Sequence, residues 1–468
     1  MSKIKFGTDG WRAIIALDFT VENVARVTEA TSKWLLKNNK NASVVVGHDC
    51  RFAGELFAET TAKVFLAHGI KVFLAKGFIS TPMISLGAVK LKTSIGIIIT
   101  ASHNPPSYNG YKIKAHYGGP MAPELVQEIE DTIPEKALAD YNTINLKDAQ
   151  TKGLLEIISL EDMYVKHVEE NFDLAAIKNS KMNLAYDSMF GAGQKVMQRL
   201  FPEIYHLHSD ENPGFHGQAP EPIHKNLLEF SNFIKAKKNI SCGLATDGDA
   251  DRIGLYDNEG SFVDSHHIIL LLIHYLVKYK NQSGKVAVAF STSVKIKKMC
   301  EHYNLPMEVC KIGFKYICGI MVTEDVLVGG EESGGIAIKG HIPERDGIWM
   351  GLTIWEFMAK TGKSLKELIA EVYAITGPFW FERNDLHIDE TIKNNVLKNC
   401  NSGAYKEFGK YKVQRVDDLD GWKFFVDDNT WLMIRASGTE PVLRTYAEAP
   451  TKEIAFDVLA DAKKVLLG

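Results

Sequence analysis

The feature that most constrains the fold is a repeated alternation between short β-branched apolar runs and longer segments with apolar residues at helical spacing. In the first part of the chain the strand-like runs are residues 43–46, 72–75 and 95–99, and the helical segments are 21–37, 56–69 and 81–90. Apolar runs of this kind form strands that are buried on both faces, as in parallel sheets covered by helices. The alternation therefore predicts a doubly wound α/β fold.

The alternation restarts twice along the chain and then ends near Pro378, beyond which strand-like segments outnumber helical ones. A chain of 468 residues is also too long for a single hydrophobic core. We therefore predict four domains, at residues 1–150, 151–258, 259–370 and 371–468. The first three are expected to be α/β, and the fourth is expected to be α+β with a mainly antiparallel sheet.

Charge and composition exclude several classes of protein. The formal net charge is -4 and there is no basic tail, which predicts no nucleic-acid partner. The chain starts without a signal-like segment, and the longest apolar stretch, residues 268–277, is about half of what spans a bilayer. We expect a cytoplasmic protein with no membrane partner. The six cysteines form no C-x-x-C pair, which predicts buried free thiols.

A polar loop at residues 100–105, here called the serine loop, follows the apolar run 95–99 and contains Ser102. Pro105 and Pro106 prevent regular structure, so Ser102 is expected at a strand end, where open α/β sheets place their chemistry. A hydrolase triad is disfavoured, because His103 is a sequence neighbour and there is no G-x-S-x-G motif. Ser102 is then either an ordinary turn residue or an oxygen nucleophile or phosphate carrier.

A second polar loop at residues 247–252, here called the aspartate loop, contains Asp247, Asp249 and Asp251. Carboxylates at every second position of an extended segment point to one side and could converge. Three such anions need a cation between them, and oxygen ligands suit a hard ion such as Mg²⁺. An EF-hand is excluded because Arg252 and Asn258 stand where its glycine and glutamate belong. The alternative is a solvated acidic turn.

Two further loops carry polar groups suited to a sugar phosphate. The arginine loop, residues 435–441, offers Arg435, Ser437, Gly438 and Thr439, which together supply the donors that a phosphate dianion needs. The glutamate loop, residues 330–335, offers Glu331 and Ser333, which can hydrogen-bond vicinal sugar hydroxyls. Either loop taken alone could be an ordinary turn. The four loops together indicate phosphoryl transfer on a phosphorylated polyol.

The motifs resemble those of the α-D-phosphohexomutase family, which includes phosphoglucomutase and phosphomannomutase. The matching segments, in the family's order and spacing, are residues 6–12, 100–105, 247–252, 330–335 and 435–441. The resemblance implies four domains around a central cleft, three of related α/β topology and a C-terminal domain of another fold. It also implies a hexose phosphate substrate, Mg²⁺, and glucose 1,6-bisphosphate as activator and intermediate. We expect a monomer or homodimer.

The resemblance assigns roles to individual residues. Ser102 is implied to be a phosphoserine that contacts Mg²⁺ together with the three aspartates. The residues implied to assist proton transfer and to stabilise the transferring phosphoryl group are His103, Lys112, Arg12 and Arg252. The residues implied to bind the sugar and its second phosphate are Glu331, Ser333, Lys315, Arg435, Ser437, Gly438 and Thr439.

The substrate is expected to be glucose phosphate, with mannose phosphate also accepted. Glu331 and Glu332 resemble glucose-using members, whereas Gly335 replaces a histidine found in the branch that uses both sugars. Phosphoglucosamine mutase is an alternative that Trp11 disfavours, because that branch has isoleucine there. Two rival functions are a metal-dependent phosphatase and a non-catalytic sugar-phosphate sensor.

Overall fold

The computed structural model describes residues 4–436 and 442–468. The described residues divide into two compact units: unit 1 comprises residues 4–285 and 313–368, and unit 2 comprises residues 286–312, 369–436 and 442–468. None of the helices in these described ranges is both long and apolar enough to cross a membrane.

The strands of the first sheet of unit 1 alternate with helices along the chain as far as β4. Its elements are β1 (Trp11–Ile14), α1 (Val21–Asn38), β2 (Ser43–His48), α2 (Gly54–Ala67), β3 (Lys71–Ala75), α3 (Thr81–Leu91), β4 (Ile95–Ile99), β5 (Tyr108–Ala115), α4 (Pro123–Glu130), α5 (Leu146–Thr151) and β6 (Leu155–Ile158). The strand order is β1-β5-β4-β2-β3-β6. Strands β4, β2, β3 and β6 run parallel, whereas β5 and β1 are antiparallel to their neighbours. The predicted α/β fold is confirmed here.

Strand β4 lies in the middle of this sheet, and all five of its residues are buried. That burial is what its β-branched sequence predicts for a strand covered on both faces. Its partner β2 runs parallel to it, so the carboxyl ends of the two strands meet at one edge of the sheet. The serine loop therefore begins at this edge, beside the segment that follows β2.

The second sheet of unit 1 has the same kind of parallel core. Its elements are α6 (Leu160–Asn171), α7 (Leu174–Lys178), β7 (Asn183–Asp187), α8 (Gln194–Leu200), β8 (Tyr205–Leu207), α9 (Leu228–Lys237), β9 (Ile240–Thr246), β10 (Ile253–Tyr256) and β11 (Phe262–Val263). The strand order is β11-β10-β9-β7-β8. Strands β9, β7 and β8 are parallel, and β10 returns antiparallel to β9. The aspartate loop is the connection from β9 to β10.

A third α/β stretch follows along the chain. Its elements are α10 (Ser265–His274), β12 (Lys285–Ala289), α11 (Lys295–Tyr303), β13 (Met307–Cys310), α12 (Phe314–Thr323), β14 (Val326–Gly330), β15 (Ile336–Ile338), α13 (Gly347–Thr361) and α14 (Leu365–Thr376). In unit 1, β14 and β15 pair antiparallel and the glutamate loop joins them. In unit 2, β12 and β13 pair in parallel.

The rest of unit 2 is an antiparallel sheet with two helices, as the sequence predicts. Its elements are β16 (Trp380–His387), α15 (Glu390–Asn401), β17 (Glu407–Phe408), β18 (Tyr411–Lys412), β19 (Arg415–Asp417), β20 (Trp422–Phe425), β21 (Trp431–Ala436), β22 (Val442–Ala449) and α16 (Lys452–Leu467). The main sheet has the order β16-β22-β21-β20-β19, and each neighbouring pair is antiparallel.

One strand prediction in this sheet is wrong. Residues 411–416 read as a single strand, but they form β18, which pairs only with β17, and β19, at the edge of the main sheet. Gly409, at φ +58°, lies in the two-residue turn between β17 and β18, and such turns require positive φ. Because residues 411 and 412 pair within this local hairpin, they do not join the main sheet.

A stack of aromatic rings joins α6 to α13 within unit 1. The rings of His341 and Trp349 lie 3.8 Å apart and nearly parallel, and the ring of His167 packs 4.9 Å from Trp349. His341 Nε2 lies 2.9 Å from Oδ2 of Asp346, the N-terminal cap of α13. Burial, together with the neighbouring His341, lowers the pKa of His167 to about 4.

Replacing His167 should reduce the sensitivity of the fold to acid. The neutral ring is favoured in the folded protein, whereas an unfolded histidine titrates near pH 6.5. The contribution of His167 to the free energy of unfolding is therefore complete above about pH 6.5 and is lost as the pH falls towards 4. For a partly buried group this loss is about 1 kcal/mol between pH 7 and pH 5. We expect His167→Phe to show a smaller drop in melting temperature over this pH range than the parent protein. His116→Phe, at an exposed histidine, is the control, and equal drops in all three proteins would contradict the prediction.

Candidate active site

Ser102 follows β4 in a conformation that non-glycine residues rarely adopt, with φ +52°. Its backbone N donates to Thr100 Oγ1 at 2.9 Å. Its side-chain Oγ donates to Oδ2 of Asp247 at 2.7 Å and lies 3.3 Å from Nδ1 of His103. The serine loop therefore presents the hydroxyl of the buried Ser102 directly to the aspartate loop.

The aspartate loop reaches its predicted convergence by a different geometry. The residues are not extended: Ala250 has φ +58°, and its N donates to the carbonyl of Asp247 at 3.0 Å. The interpretation as an extended segment was wrong, because this tight turn between β9 and β10 reverses the chain direction. One oxygen from each of Asp247, Asp249 and Asp251 nevertheless lies within 4.8 Å of the others, and all three residues are buried.

Each aspartate uses part of its hydrogen-bonding capacity inside the protein. Oδ1 of Asp247 accepts from the backbone N of Asp251 and of Arg252 at 2.9 and 3.0 Å. Oδ2 of Asp249 accepts from Lys112 at 2.8 Å. The buried Oδ1 atoms of Asp249 and Asp251 have no hydrogen-bond partner among the described residues. Buried anionic oxygens without partners are costly, and a hard divalent cation fits them.

The charges of the cluster act on one another. Burial and the charges of Asp249 and Asp251 raise the pKa of Asp247 well above its usual value. Burial would also raise the pKa of Asp249, but the adjacent Lys112 ammonium outweighs it and holds the pKa below its usual range. The ammonium is itself kept charged, because burial is outweighed by Asp249 and Asp9, which raise the pKa of Lys112.

Asp9 connects the basic side chains around the aspartate loop. Its Oδ2 lies 2.9 Å from Lys112 Nζ and 2.5 Å from Arg345 Nη2, and its Oδ1 lies 3.6 Å from Lys114 Nζ. Arg345 Nη2 also lies 2.6 Å from Oδ2 of Asp251. Sequence reasoning did not identify Asp9, Lys114 or Arg345 as site residues. The i, i+2 spacing of Lys112 and Lys114 on β5 was the available signal for Lys114.

The other residues expected to assist transfer lie around the serine loop. Arg12 Nη1 donates to the side-chain oxygen of Asn104 at 2.8 Å, and Arg252 Nη1 lies 3.7 Å from Glu221. Burial, followed by the charges of Arg252 and Arg12, lowers the pKa of His103 well below its usual value. The imidazole beside Ser102 is therefore neutral at pH 7.

The glutamate loop lies beside the aspartate loop. Backbone N of Ile253 donates to the carbonyl of Gly334 at 3.1 Å. Glu331 Oε1 accepts from the backbone N of Gly313 at 3.0 Å, and burial raises the pKa of Glu331 to about 7. Ser333, in the same loop, and Lys315, in the first turn of α12, are both partly buried. Unit 1 thus contains three of the four polar loops.

The fourth, the arginine loop, belongs to unit 2. Arg435, near the end of β21, donates through Nε to Oδ1 of Asp420 at 3.1 Å. Ser437, Gly438 and Thr439 lie outside the described residues, so their predicted role in binding phosphate stays a prediction.

Comparison with known proteins finds matches along nearly the whole chain. Profiles described as "Phosphoglucomutase/phosphomannomutase" match as alpha/beta/alpha domain I at residues 3–140, domain II at 162–260, domain III at 264–375 and the C-terminal domain at 393–465. A phosphoglucomutase/phosphomannomutase of Thermococcus kodakarensis is 28% identical over 98% of each chain. A phosphoglucosamine/phosphogalactosamine mutase of Sulfurisphaera tokodaii is 29% identical over 99% of each chain.

Among solved structures, a candidate phosphomannomutase from Thermus thermophilus is 33% identical, with a TM-score of 0.87 over 100% of each chain. The matches extend over nearly all of the sequence and confirm the four-domain architecture. The chain therefore belongs to the phosphoglucomutase/phosphomannomutase family, the α-D-phosphohexomutases, and is an enzyme of the phosphohexomutase class, an intramolecular phosphotransferase.

Proposed function

We propose that the enzyme interconverts hexose 1-phosphate and hexose 6-phosphate, with glucose phosphates preferred and mannose phosphates also accepted. The reaction passes through a phosphorylated Ser102 and a 1,6-bisphosphate that turns end for end. The observation that carries the proposal is the 2.7 Å hydrogen bond from Ser102 Oγ to Asp247, beside two buried carboxylate oxygens without partners among the described residues. A hydroxyl in this place is suited to carrying a phosphoryl group at the edge of a cation site.

The aspartate loop is proposed to hold Mg²⁺ through Asp247, Asp249 and Asp251, with Ser102 as a further ligand. The bound ion would neutralise negative charge on the transferred phosphoryl group. The protein contributes Lys112 and Arg345, which contact Oδ2 of Asp249 and of Asp251. These contacts orient the carboxylates and leave both Oδ1 atoms available.

The serine loop and its basic neighbours are proposed to handle the proton and the phosphoryl charge. His103 is the candidate base, because its Nδ1 lies 3.3 Å from Ser102 Oγ, which is close to hydrogen-bonding range. Lys112 is better suited to stabilising charge, because Asp9 and Asp249 surround its ammonium group. Arg12 and Arg252 provide guanidinium groups that can hydrogen-bond phosphate oxygens in pairs.

The glutamate and arginine loops are proposed to recognise the rest of the substrate. Glu331 and Ser333 would bind two adjacent sugar hydroxyls, with Lys315 near a sugar phosphate. Arg435, Ser437, Gly438 and Thr439 would bind the phosphate that does not react. Because the bisphosphate binds in two orientations, these contacts must accept either end of the sugar.

A phosphoglucosamine mutase is the second candidate. It is supported by the 29% identity, over 99% of each chain, to a relative named phosphoglucosamine/phosphogalactosamine mutase. The relative named phosphoglucomutase/phosphomannomutase has almost the same identity, 28%. The substituent that the sugar carries at C2 therefore has to be established by measurement.

The substrate preference is tested by parallel assays on glucose 1-phosphate, mannose 1-phosphate and glucosamine 1-phosphate, each with Mg²⁺ and a trace of the matching bisphosphate. We expect kcat/KM to be highest for glucose and lower, about tenfold, for mannose, since one inverted hydroxyl costs about one hydrogen bond. Faster conversion of glucosamine 1-phosphate would replace the glucose proposal by the second candidate. Release of inorganic phosphate that outpaces isomer formation would indicate a phosphatase.

Removing the hydroxyl of Ser102 should abolish turnover while leaving binding nearly intact. Ser102→Ala has no oxygen to carry the phosphoryl group, so we expect kcat to fall by at least about 10⁴-fold, with the dissociation constant for the sugar phosphate nearly unchanged by calorimetry. Ser107→Ala, at an exposed serine two residues beyond the serine loop, is the matched control. Turnover by Ser102→Ala near the parental rate would exclude the phosphoserine mechanism.

Neutralising Asp247 should separate metal binding from folding. Asp247→Asn keeps an acceptor for the two backbone N–H groups and removes one of three repelling charges. In EDTA we expect a melting temperature equal to or above that of the parent protein. Saturating Mg²⁺ should raise the melting temperature of the parent by several degrees, but not that of the variant.

The control for this experiment is Asp257→Asn, because Asp257 is also a buried turn carboxylate that accepts from two backbone N–H groups, those of Glu259 and Ser261. Its response to Mg²⁺ should match that of the parent. An unchanged Mg²⁺ response in Asp247→Asn would place the cation elsewhere.

A further inference from the structure

The guanidinium group of Arg51 lies beneath the serine loop and binds its backbone. Nη2 donates to the carbonyls of Ser102 and Asn104, each at 2.6 Å. Nη1 donates to the carbonyls of Pro105 and Tyr108 at 2.9 and 3.0 Å. One side chain therefore holds four carbonyl oxygens, three in the serine loop and one at the first residue of β5.

Asp49 orients this guanidinium and the loop at the same time. Its Oδ2 lies 3.5 Å from Arg51 Nε and accepts from Thr100 Oγ1 at 2.5 Å. Thr100 Oγ1 in turn accepts from the backbone N of Ser102. The N–H of Ser102 is thus connected through Thr100 to Asp49. The carbonyl of Ser102 is bound directly by Arg51.

The pair is fully enclosed. Asp49 and Arg51 are 0% and 2% exposed, and the ring of Phe215 lies 5.0 Å from the guanidinium carbon. A buried ion pair of this kind is poor evidence for stability, because desolvation offsets its attraction. Its role at this place is better explained by the loop that it orders.

Ser102 requires these contacts because its backbone has φ +52°. L-residues other than glycine seldom adopt this conformation, and it persists only when the surroundings enforce it. The space between Ser102 and Gly248 is also restricted, because a Cβ at Gly248 would lie 2.5 Å from the Ser102 carbonyl oxygen. Small displacements of the loop therefore move Ser102 Oγ relative to the aspartate loop.

We propose that Arg51, together with Asp49 and Thr100, is a positioning residue that holds Ser102 in the conformation required for phosphoryl transfer. Within the described residues, Arg51 hydrogen-bonds none of the three aspartates of the aspartate loop. Its effect on the reaction is exerted through the serine loop, in both directions of transfer. The kinetic part of this inference rests on the proposed function, whereas the conformational part does not.

The experiment compares Arg51→Lys with the parent protein. Lysine keeps the positive charge beside Asp49, but its single nitrogen cannot reproduce the planar fork that spans four carbonyls. We expect amide hydrogen exchange in the peptide containing Ser102 to become about tenfold faster or more. We also expect kcat and the rate of Ser102 phosphorylation by the sugar bisphosphate to fall about 100-fold, with KM within about threefold of the parent.

Arg26→Lys is the matched control. Arg26 is also a buried arginine, 6% exposed, and its Nε donates to the carbonyl of Pro134 at 2.6 Å, away from the serine loop. Arg26→Lys should change neither amide hydrogen exchange in the peptide containing Ser102 nor kcat. The proposal is overturned if Arg51→Lys resembles this control in loop exchange or in kcat.

Two further results keep the test decisive. If Arg51→Lys does not fold, Thr100→Val replaces it: loss of the hydroxyl should give the same faster exchange and lower kcat, and Thr100→Ser should restore both at least in part. Equal behaviour of the two threonine variants overturns the proposal. If the parent protein converts no hexose phosphate, the proposed function fails, and loop exchange alone decides whether Arg51 positions Ser102.

Discussion

The candidate active site depends on the repulsion among three buried carboxylates whose oxygens lie within 4.8 Å of one another. At such distances in a buried site, like charges cannot all remain ionised without compensation. Two buried cations, Lys112 and Arg345, supply part of it, and backbone N–H groups supply more at Asp247. The remaining need for positive charge makes the cluster a candidate cation site, and Ser102 donates its hydrogen bond to the same cluster.

The compensating charges also connect the aspartate loop to the loop proposed to bind the sugar. Arg345 contacts Asp9 and Asp251 and lies 3.9 Å from Glu331. Burial raises the pKa of Glu331 to about 7, so this carboxyl group is only partly ionised at neutral pH. Arg345 therefore contacts both the aspartate loop and the carboxyl group that is proposed to bind a sugar hydroxyl.

Much of the fold could be predicted because its signals are local. The helix at Val21–Asn38 and the strand at Ile95–Ile99 have the predicted type and nearly the predicted bounds, since their apolar periodicity matches one regular structure only. Predictions failed where a neighbouring segment decides the outcome. Residues 411–416 split because a hairpin turn pairs their first two residues with β17. The aspartate loop turns instead of extending because β10 returns antiparallel to β9.

The sequence by itself determined the α/β alternation and identified the four polar loops, because strand runs, turn residues and clustered donors or carboxylates are each contiguous in the chain. Only the tertiary structure decided which distant groups complete the site. Arg51 and Arg345 carry no distinctive local pattern, and each acts through partners far away in sequence, such as Arg51 on the carbonyl of Ser102 and Arg345 on Asp251. Parallel pairing of β2 with β4 and the return of β10 along β9 bring these groups together, and no local signal encodes that proximity.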